Sequence, residues 1–592
     1  MCCSLFIQEI QEEMNMEFRK LPVGIDSFED IITNEYYYVD KTLLVKELLD
    51  YKGKINLFTR PRRFGKTLNM SMLRYFFERP IPKTSGSGGE GQVRENNSHL
   101  FEGLAIMDAG EEYLKHLGKY PVIFLTLKSG KQPTFHDALY HLKDQIIYEY
   151  SRHRYVLDEA VLKPDEKEKY QMILDRTADE AAYTTSLQFL SMCLEKVYGE
   201  KAIILIDEYD VPLENAYFQG FYDEMTGFIR SLFESALKSN EALAFSAMTG
   251  CLRISRESIF TGLNNLNVIS LLDEKYAEHF GFTQSEVEAM FHSYGFESRM
   301  DTVLQWYDGY LFGNMEVYNP WSTIKFAYDL LSNVNAFPKP YWSNTSGNSI
   351  IRELVEQAGL ETKAEIEQLI GGGTIEKPVH EDITYGDIYK SMDNLWNFLF
   401  FTGYLKKVSE RRDERTIYLT MKIPNEEVLY IYENKIIDWF REQEASRDMS
   451  KMYEAIMTGD AKTFEEELND LLAVSISYMD SYENFYHGFV VGALAGMKDY
   501  LVRSNRESGK GRSDIYIKPP VTRKPAAILE LKQAEKPDQL DSQCDEALKQ
   551  ITEKGYDEEL RAEGYKQIYH YGLAFYRKQC RIKCKNPTAN KF

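Results

Sequence analysis

The segment between residues 54 and 77 constrains the fold of this chain more than any other. It begins with the apolar run KINLFT at 54–59, which predicts a short buried strand. A polar loop, RPRRFGK, follows at 60–66, and an apolar helical pattern then continues until Pro80 stops it. A strand, a glycine-containing loop and a helix in this order are the context that a phosphate-binding loop requires, because backbone N–H groups and a helix N-terminus then point at one anion.

The end of this loop supplies the residues that we expect to bind a nucleotide phosphate. Lys66 would neutralise the β- and γ-phosphates, and the hydroxyl of Thr67 would hold Mg²⁺. Arg63, Phe64 and Gly65 form the turn before them and complete the predicted cofactor-binding segment. An arginine stands where such loops usually carry their first glycine, and a basic turn that only caps a helix is the alternative interpretation.

A second element suits the same site. The apolar run at 203–206 ends in Asp207 and Glu208, and we expect this strand to lie beside the strand of the loop. Asp207 would bind the magnesium shell, and Glu208 would act as the catalytic residue that polarises the attacking water. Thr249, after a further apolar run, is a candidate to orient that water, and Arg253 is a candidate to contact the γ-phosphate. Ordinary surface charge is the alternative.

The length of 592 residues is too great for one hydrophobic core and predicts several domains. Apolar runs alternate with helical patterns in the first half, which favours a parallel sheet covered on both faces. The predicted fold class is therefore multidomain α/β: a P-loop NTPase parallel sheet, a helical and winged-helix-like middle region, and a second α/β domain at the C-terminus. The predicted boundaries are an N-terminal tail at 1–16, the P-loop domain at 17–275, the middle region at 276–449 and the last domain at 450–592.

Several motifs resemble the bacterial AAA-ATPase-like family. They lie between about residues 17 and 350 and comprise LPVGIDSFEDII, YYYVDKT, RPRRFGKT, LIDEYD, TGCLRISRESIFTGLNNL, YDGY, YNPWS and YW.NT..N. The family has its own RPRRFGKT form of the phosphate loop, so Arg60 is what the resemblance leads one to expect. The resemblance implies binding of ATP or GTP, with ATP and Mg²⁺ as the expected cofactors, and it names no substrate.

A second group of polar residues lies near the C-terminus. Asp514 precedes Glu530 by sixteen residues, and Lys532 follows two residues later, each on a predicted strand. Side chains alternate along a strand, so Glu530 and Lys532 share a face, and Asp514 would lie beside Glu530 if the strands pair. Two carboxylates can hold Mg²⁺, while the lysine orients water or stabilises developing charge. Glu483 and His487 share a helix face upstream, and either is a candidate third ligand; an ordinary helix-surface pair is the alternative.

These residues resemble the PD-(D/E)XK nuclease superfamily over about residues 450–580. The landmarks are ENFYHGF, SGKGRSDI, ILELK and QITEKGY. The resemblance implies a restriction-endonuclease-like α/β fold for the C-terminal domain. It also implies that Asp514, Glu530 and Lys532 carry catalysis and that Gln550 supports the site.

Charge and composition limit the partners. The net charge of −22 excludes a uniformly basic nucleic-acid binder, although residues 503–536 contain nine Lys or Arg against four Asp or Glu. No apolar stretch of membrane-spanning length and no secretory signal is present, so a cytoplasmic location without membrane contact is expected.

Two functions fit these patterns. The first is an ATPase coupled to a metal-dependent nuclease, for which we expect DNA rather than RNA as the partner. The second is a signalling or scaffold ATPase whose nuclease-like domain binds without cutting. A homo-oligomer is compatible with both.

Overall fold

The computed structural model describes residues 19–81, 96–252, 259–260, 263, 265–344, 360–379, 385–434, 449–474, 483–494, 496–497, 500–508 and 511–586. The predicted tail at 1–16 lies outside these ranges. The chain divides into two compact units, the first formed by residues 1–342 and 376–427 and the second by residues 343–375 and 428–592. No helix among the described residues is long and apolar enough to cross a membrane.

A five-stranded parallel sheet forms the centre of the first unit and confirms the predicted P-loop fold class. Its strands are β1 (Ile55–Thr59), β2 (Val122–Thr126), β3 (Ala202–Asp207), β4 (Leu243–Gly250) and β5 (Leu266–Ile269), in the order β2-β3-β4-β1-β5. All residues of β1 and β3 are buried, which explains their unbroken apolar sequences. The expectation that β1 and β3 are neighbours is wrong, because β4 pairs with both of them in parallel.

The helices of the first unit cover this sheet and continue beyond it. They are α1 (Phe28–Thr33), α2 (Leu43–Tyr51), α3 (Lys66–Phe77), α4 (Phe135–Arg152), α5 (Pro164–Leu174), α6 (Ser186–Tyr198), α7 (Val211–Gln219), α8 (Tyr222–Phe233), α9 (Gln284–Ser293), α10 (Met300–Tyr307) and α11 (Pro320–Ser332). Helices α9, α10 and α11 share one hydrophobic core with Leu21 and Tyr318.

The middle region contains strands as well as helices. A hairpin of β6 (Tyr310–Phe312) and β7 (Met315–Val317) follows α10. Helix α12 (Leu360–Ile370) belongs to the second unit. The predicted helix and hairpin near 395–425 are present as α13 (Met392–Phe401) with β9 (Lys406–Asp413) and β10 (Thr416–Lys422), and β8 (Ile375–Pro378) adds a third strand beside β10.

The second unit is built on a mixed five-stranded sheet. Its strands follow chain order: β11 (Leu501–Ser508), β12 (Gly511–Lys518), β13 (Ala526–Gln533), β14 (Ile568–Tyr576) and β15 (Gln579–Lys585). Only the β13–β14 pair is parallel. Besides α12, the longer helices described in this unit are α14 (Ser450–Thr458), α15 (Ala461–Val474), α16 (Glu483–Leu494) and α17 (Leu540–Lys554). Ile551 of α17 packs in one core with Ile528 of β13.

Candidate functional site

The loop between β1 and α3 turns at two residues with left-handed backbone. Gly65, the N-cap of α3, has φ of 78°, and Arg63 has φ of 72°. A Cβ on Gly65 would meet no atom within 4 Å, so conformation and not space favours glycine there. Arg63 adopts the same region at a cost of about 1 kcal/mol, and the packing around the loop must hold it.

Arg60 provides part of that packing. Its side chain is fully buried, and it donates hydrogen bonds to the carbonyl oxygens of Thr59, Ile269 and Ser270 at 2.9, 3.1 and 2.8 Å. The guanidinium also lies over the rings of Phe280 and Phe312. Burial lowers the pKa of Arg60 to about 10. This arginine therefore joins the ends of β1 and β5 where other phosphate loops have a glycine.

Lys66 lies inside the loop. Its Nζ donates to the carbonyl oxygens of Arg60 and Pro61 at 2.9 and 2.8 Å and is 3.7 Å from Cys251 Sγ. The side chain is 6% exposed. Two of the three N–H donors of the ammonium are therefore bonded to backbone carbonyls, and the third faces the weaker acceptor Cys251 Sγ.

Two elements, α3 and β4, bring hydroxyl groups to Asp207. The hydroxyl of Thr67, on α3, donates to its carboxylate at 2.9 Å, and the hydroxyl of Thr249, on β4, donates at 2.5 Å. Burial raises the pKa of Asp207 to about 6, and the adjacent Glu208 carboxylate adds to the effect. A desolvated carboxylate next to two hydroxyls is a set of hard oxygen donors that fits Mg²⁺, which would relieve the cost of burial.

Glu208 is half-buried and has φ of 52°. Burial lowers the pKa of Arg63, and the attraction of the Glu208 carboxylate opposes this change. The two side chains are therefore close enough to interact, one from the loop and one from the end of β3. The Arg63 guanidinium also lies 4.3 Å from the ring centre of Trp321.

Phe64 is a core residue. Its ring packs against Tyr310 and Phe312 at centroid distances of 4.8 and 5.1 Å, so only its backbone N–H is available to a phosphate. The side chain of Phe64 thus anchors the loop to the buried rings of Tyr310 and Phe312. Arg253 lies outside the described residues.

The second candidate site lies on β12 and β13. These strands are antiparallel, with Ile515 opposite Leu529, which places Asp514 and Glu530 at the next cross-strand position and on one face. The Asp514 backbone N–H donates to Glu530 Oε2 at 3.4 Å, and Leu531 N–H donates to Asp514 Oδ2 at 2.7 Å. Each carboxylate therefore accepts a hydrogen bond from the backbone of the partner strand, next to the residue that carries the other carboxylate.

Glu530 is almost fully buried, and its Oε1 is close to two polar side chains. Gln550, on α17, donates to Glu530 Oε1 and lies 3.2 Å from the Tyr556 hydroxyl. Lys532 Nζ is 3.7 Å from Glu530 Oε1. The structure thus brings together Asp514, Glu530, Lys532 and Gln550. Burial raises the pKa of Asp514, while the Leu531 N–H, His487 and Lys532 oppose this rise.

His487 contacts the backbone of this site. Its Nε2 is 3.1 Å from the carbonyl oxygen of Asp514, so Nε2–H donates to that carbonyl. This nitrogen is then unavailable to a metal in the same tautomer. The side chain of Glu483 lies outside the described residues, and within the described part no three His, Cys, Asp or Glu side chains are grouped to hold a metal.

Two family models match the chain. One, described as a predicted AAA-ATPase, matches residues 22–260, and the other, described as the PD-(D/E)XK nuclease superfamily, matches residues 481–585. The chain joins an AAA-ATPase-like domain to a PD-(D/E)XK nuclease superfamily domain. A protein of Azotobacter chroococcum mcd 1, named "Uncharacterized protein in vnfD 5'region", is 26% identical over 573 residues, which are 95% of this chain and 97% of the relative. The similarity therefore extends across both domains.

The AAA-ATPase-like domain has two further polar features that the sequence did not indicate. Asp210 is fully buried and accepts from the N–H groups of Cys251 and Leu252 at 2.7 and 3.1 Å, which ties the end of β3 to the chain after β4. Arg62 forms an ion pair with Glu214 of α7. The position of Asp210 at the end of the LIDEYD motif could have marked it as part of the site. No sequence pattern indicates that Arg62 pairs with Glu214.

The nuclease superfamily domain has carboxylates that fit a hard cation. Asp514 and Glu530 supply oxygen ligands from adjacent strands, and Gln550 fixes the orientation of one of them. The ammonium of Lys532 lies 3.7 Å from Glu530 Oε1 and so brings a positive charge to the same carboxylate. This arrangement suits hydrolysis of a phosphodiester.

Proposed function

We propose that this protein binds and hydrolyses ATP in its first domain and cleaves phosphodiester bonds, with DNA as the substrate, in its second. The observation that carries the proposal is the cross-strand pair of Asp514 and Glu530 with Lys532 on the same face. A domain that only binds nucleic acid does not need two carboxylates on that face, because they repel a phosphate backbone unless a cation lies between.

The roles in the ATPase domain follow from the contacts. Thr67 and Asp207 would hold Mg²⁺, which supplies charge neutralisation to the β- and γ-phosphates when it is bound. Lys66 leaves its two carbonyl acceptors and donates to a phosphate oxygen. Glu208 accepts a proton from the attacking water, and Thr249 keeps the Asp207 carboxylate oriented.

In the nuclease domain, Asp514 and Glu530 would hold Mg²⁺, which supplies Lewis acidity to the phosphate. Gln550 holds Glu530 in position, and Lys532 stabilises the negative charge that develops on the phosphate oxygens. His487 supports the strand through the Asp514 carbonyl. We propose it as a positioning residue in preference to a ligand, and Glu483 as the third ligand.

A cleavage assay on supercoiled DNA with Mg²⁺ tests the proposal. We expect the wild type to nick the DNA, Lys532→Ala to lose nicking, and Lys549→Ala to retain it, because Lys549 is exposed on α17 and forms a surface ion pair with Glu553. A matched single-stranded RNA of the same sequence distinguishes the substrates. Nicking by Lys532→Ala at the wild-type rate would contradict the assignment.

The alternative is a nucleotide-switched scaffold that binds through the same domain without cutting. The net charge of −22 favours it, since this charge opposes close approach to nucleic acid. A wild type that binds a partner in an ATP-dependent way but never nicks DNA or RNA would support this alternative.

A further inference from the structure

The carboxyl group of Glu427 connects the two points at which the chain leaves the first unit. The chain passes out of this unit after Trp342 and again after Glu427. The backbone N–H of Trp342 donates to Glu427 Oε1 at 2.9 Å. The hydroxyl of Ser322, in the first turn of α11, donates to the same oxygen at 2.9 Å. One buried atom thus connects both exits to one helix.

The carboxyl group of Glu427 is fully buried. Its hydrogen-bond donors in the described part of the chain are neutral groups, and Oε2 has no hydrogen-bond partner there. Burial raises the pKa of Glu427 to about 8, and the bonds from Trp342 and Ser322 offset this only in part. Burial of such a carboxyl group costs more free energy than burial of the amide of glutamine, which has the same shape.

The same junction touches the phosphate loop at three places. Phe64 packs on Tyr310, and the segment containing Tyr310 is tied to Asn425, whose Nδ2 donates to the Asp308 carbonyl at 2.7 Å. Arg63 lies over Trp321, the residue before Ser322. The first contact leads to Asn425, two residues before Glu427. The second leads to Trp321, whose neighbour Ser322 donates to Glu427.

The third contact passes through Tyr404. Gly403 lies so close to Pro61 that a Cβ there would be 3.0 Å from the proline Cβ, which only a glycine accommodates without a shift of the proline ring. The next residue, Tyr404, packs on the Trp342 ring at a centroid distance of 4.7 Å. The motifs YDGY, YNPWS and YW, to which the phosphate site assigns no role, therefore meet in one structure between the loop and the exits.

We propose that Glu427, Ser322 and the Trp342 N–H form a clasp that carries movements of the phosphate loop to both exits of the chain. This inference rests on the proposed binding of ATP. A phosphate that attracts Lys66 changes the hydrogen bonds from its Nζ to the Arg60 and Pro61 carbonyls. The close packing of the loop residues Phe64, Arg63 and Pro61 against the junction transmits the change. The clasp moves as one body, so the two exits respond together.

Hydrogen–deuterium exchange of the full chain, with and without ATP and Mg²⁺, tests the clasp. In the wild type we expect ATP to change exchange about threefold at the Trp342 amide and in peptides covering 360–370 and 428–434. Glu427→Gln keeps an accepting oxygen and should preserve this response. Glu427→Ala should confine the response to the first unit.

A pair of adjacent hydroxyls provides the matched control. Ser322→Ala removes a bond of the clasp, whereas Thr323→Val removes a buried hydroxyl that donates to the carbonyl of Asn319, the N-cap of the same helix. We expect Ser322→Ala to weaken the response after both exits and Thr323→Val to leave it unchanged. An equal loss in the two variants would show that stability alone is measured and would overturn the proposal.

Calorimetry with ATP on each variant separates this inference from the proposed function. Wild-type protein that does not bind ATP overturns the nucleotide-binding proposal and the coupling with it. Binding of ATP by Glu427→Ala with an undiminished response after both exits overturns the clasp alone. Binding without a response in 428–434 supports it.

Discussion

The hydroxyl of Thr249 donates a hydrogen bond of 2.5 Å to the carboxylate of Asp207. Because β4 lies between β1 and β3, this threonine occupies the position between the phosphate loop and the acidic strand. It therefore acts on the proposed magnesium site through Asp207 and does not need to touch the water.

Thr249→Val tests that relationship. Valine keeps the branched shape in a buried strand but loses the hydrogen bond, so the Asp207 carboxylate is less well oriented. We expect the Mg²⁺ concentration for half-maximal ATP hydrolysis to rise about tenfold. Ser246→Ala is the control, because Ser246 is buried in the same strand and donates to the Ile204 carbonyl. An unchanged magnesium requirement in Thr249→Val would contradict the prediction.

Asp207→Asn is expected to stabilise the protein while abolishing ATP hydrolysis. Burial raises the pKa of Asp207 from 3.8 to about 6, so between these values the folded protein holds a proton that the unfolded chain has released. The free energy of unfolding therefore falls as the pH rises through this window and stays lower above it. In metal-free buffer at neutral pH, denaturant unfolding should show a gain of about 2 kcal/mol for the variant.

The same pair of proteins supplies the control for that gain. Below about pH 3 the wild-type carboxyl is largely protonated in both states, so the difference in unfolding free energy should largely disappear. A gain in unfolding free energy that does not depend on pH would mean that packing, and not the buried charge, causes the difference in stability between the wild type and Asp207→Asn.

Lys66→Ala should lower ATP affinity by roughly 100-fold, because it removes a charge-assisted contact with the phosphates. It should also reduce stability by about 1–2 kcal/mol, since the ammonium holds the Arg60 and Pro61 carbonyls together. Lys66 is almost fully buried, so its removal affects the loop itself as well as the phosphate contact. Calorimetry measures the affinity, and Lys46→Ala, at an exposed pair with Asp50, serves as the control.

Glu208→Gln should behave in the opposite way to Lys66→Ala. The amide leaves the phosphate and magnesium contacts in place but cannot accept a proton from water, so ATP should bind while turnover falls about 100-fold or more. Single-turnover hydrolysis with radiolabelled ATP measures this step. Turnover at the wild-type rate would assign the base to another residue.

The parts of these sites that sequence reasoning found are those determined locally. KINLFT is an unbroken apolar run because β1 is covered on both faces, and GK at the start of α3 follows from the backbone of the turn. The cross-strand position of Asp514 and Glu530 follows from two strands that are close in the chain. In each case the pattern and its cause lie within a few tens of residues.

The remaining features depend on contacts between distant segments. The strand order that inserts β4 beside β1 follows from the packing of the whole sheet, and no local pattern encodes it. The Arg60 guanidinium finds carbonyls some 210 residues away, so the sequence shows an arginine in a loop but not its burial. The sequence suggests His487 as a metal ligand because histidine commonly binds metals. No sequence pattern indicates that it instead contacts the backbone carbonyl of Asp514.

Gln550 provides the last prediction. Its amide donates to Glu530 and lies near the Tyr556 hydroxyl, so it holds the carboxylate without being a ligand itself. Gln550→Ala should therefore weaken Mg²⁺ binding about tenfold, measured by calorimetry, and reduce DNA nicking by a similar factor that added Mg²⁺ partly restores. Asp514→Ala, which removes a ligand, should not be rescued at any Mg²⁺ concentration. Lys549→Ala, one residue away and exposed, should behave as the wild type. Loss of nicking in Gln550→Ala with unchanged metal affinity would instead place the glutamine on the substrate, since the amide would then contribute to the phosphate and not to Glu530.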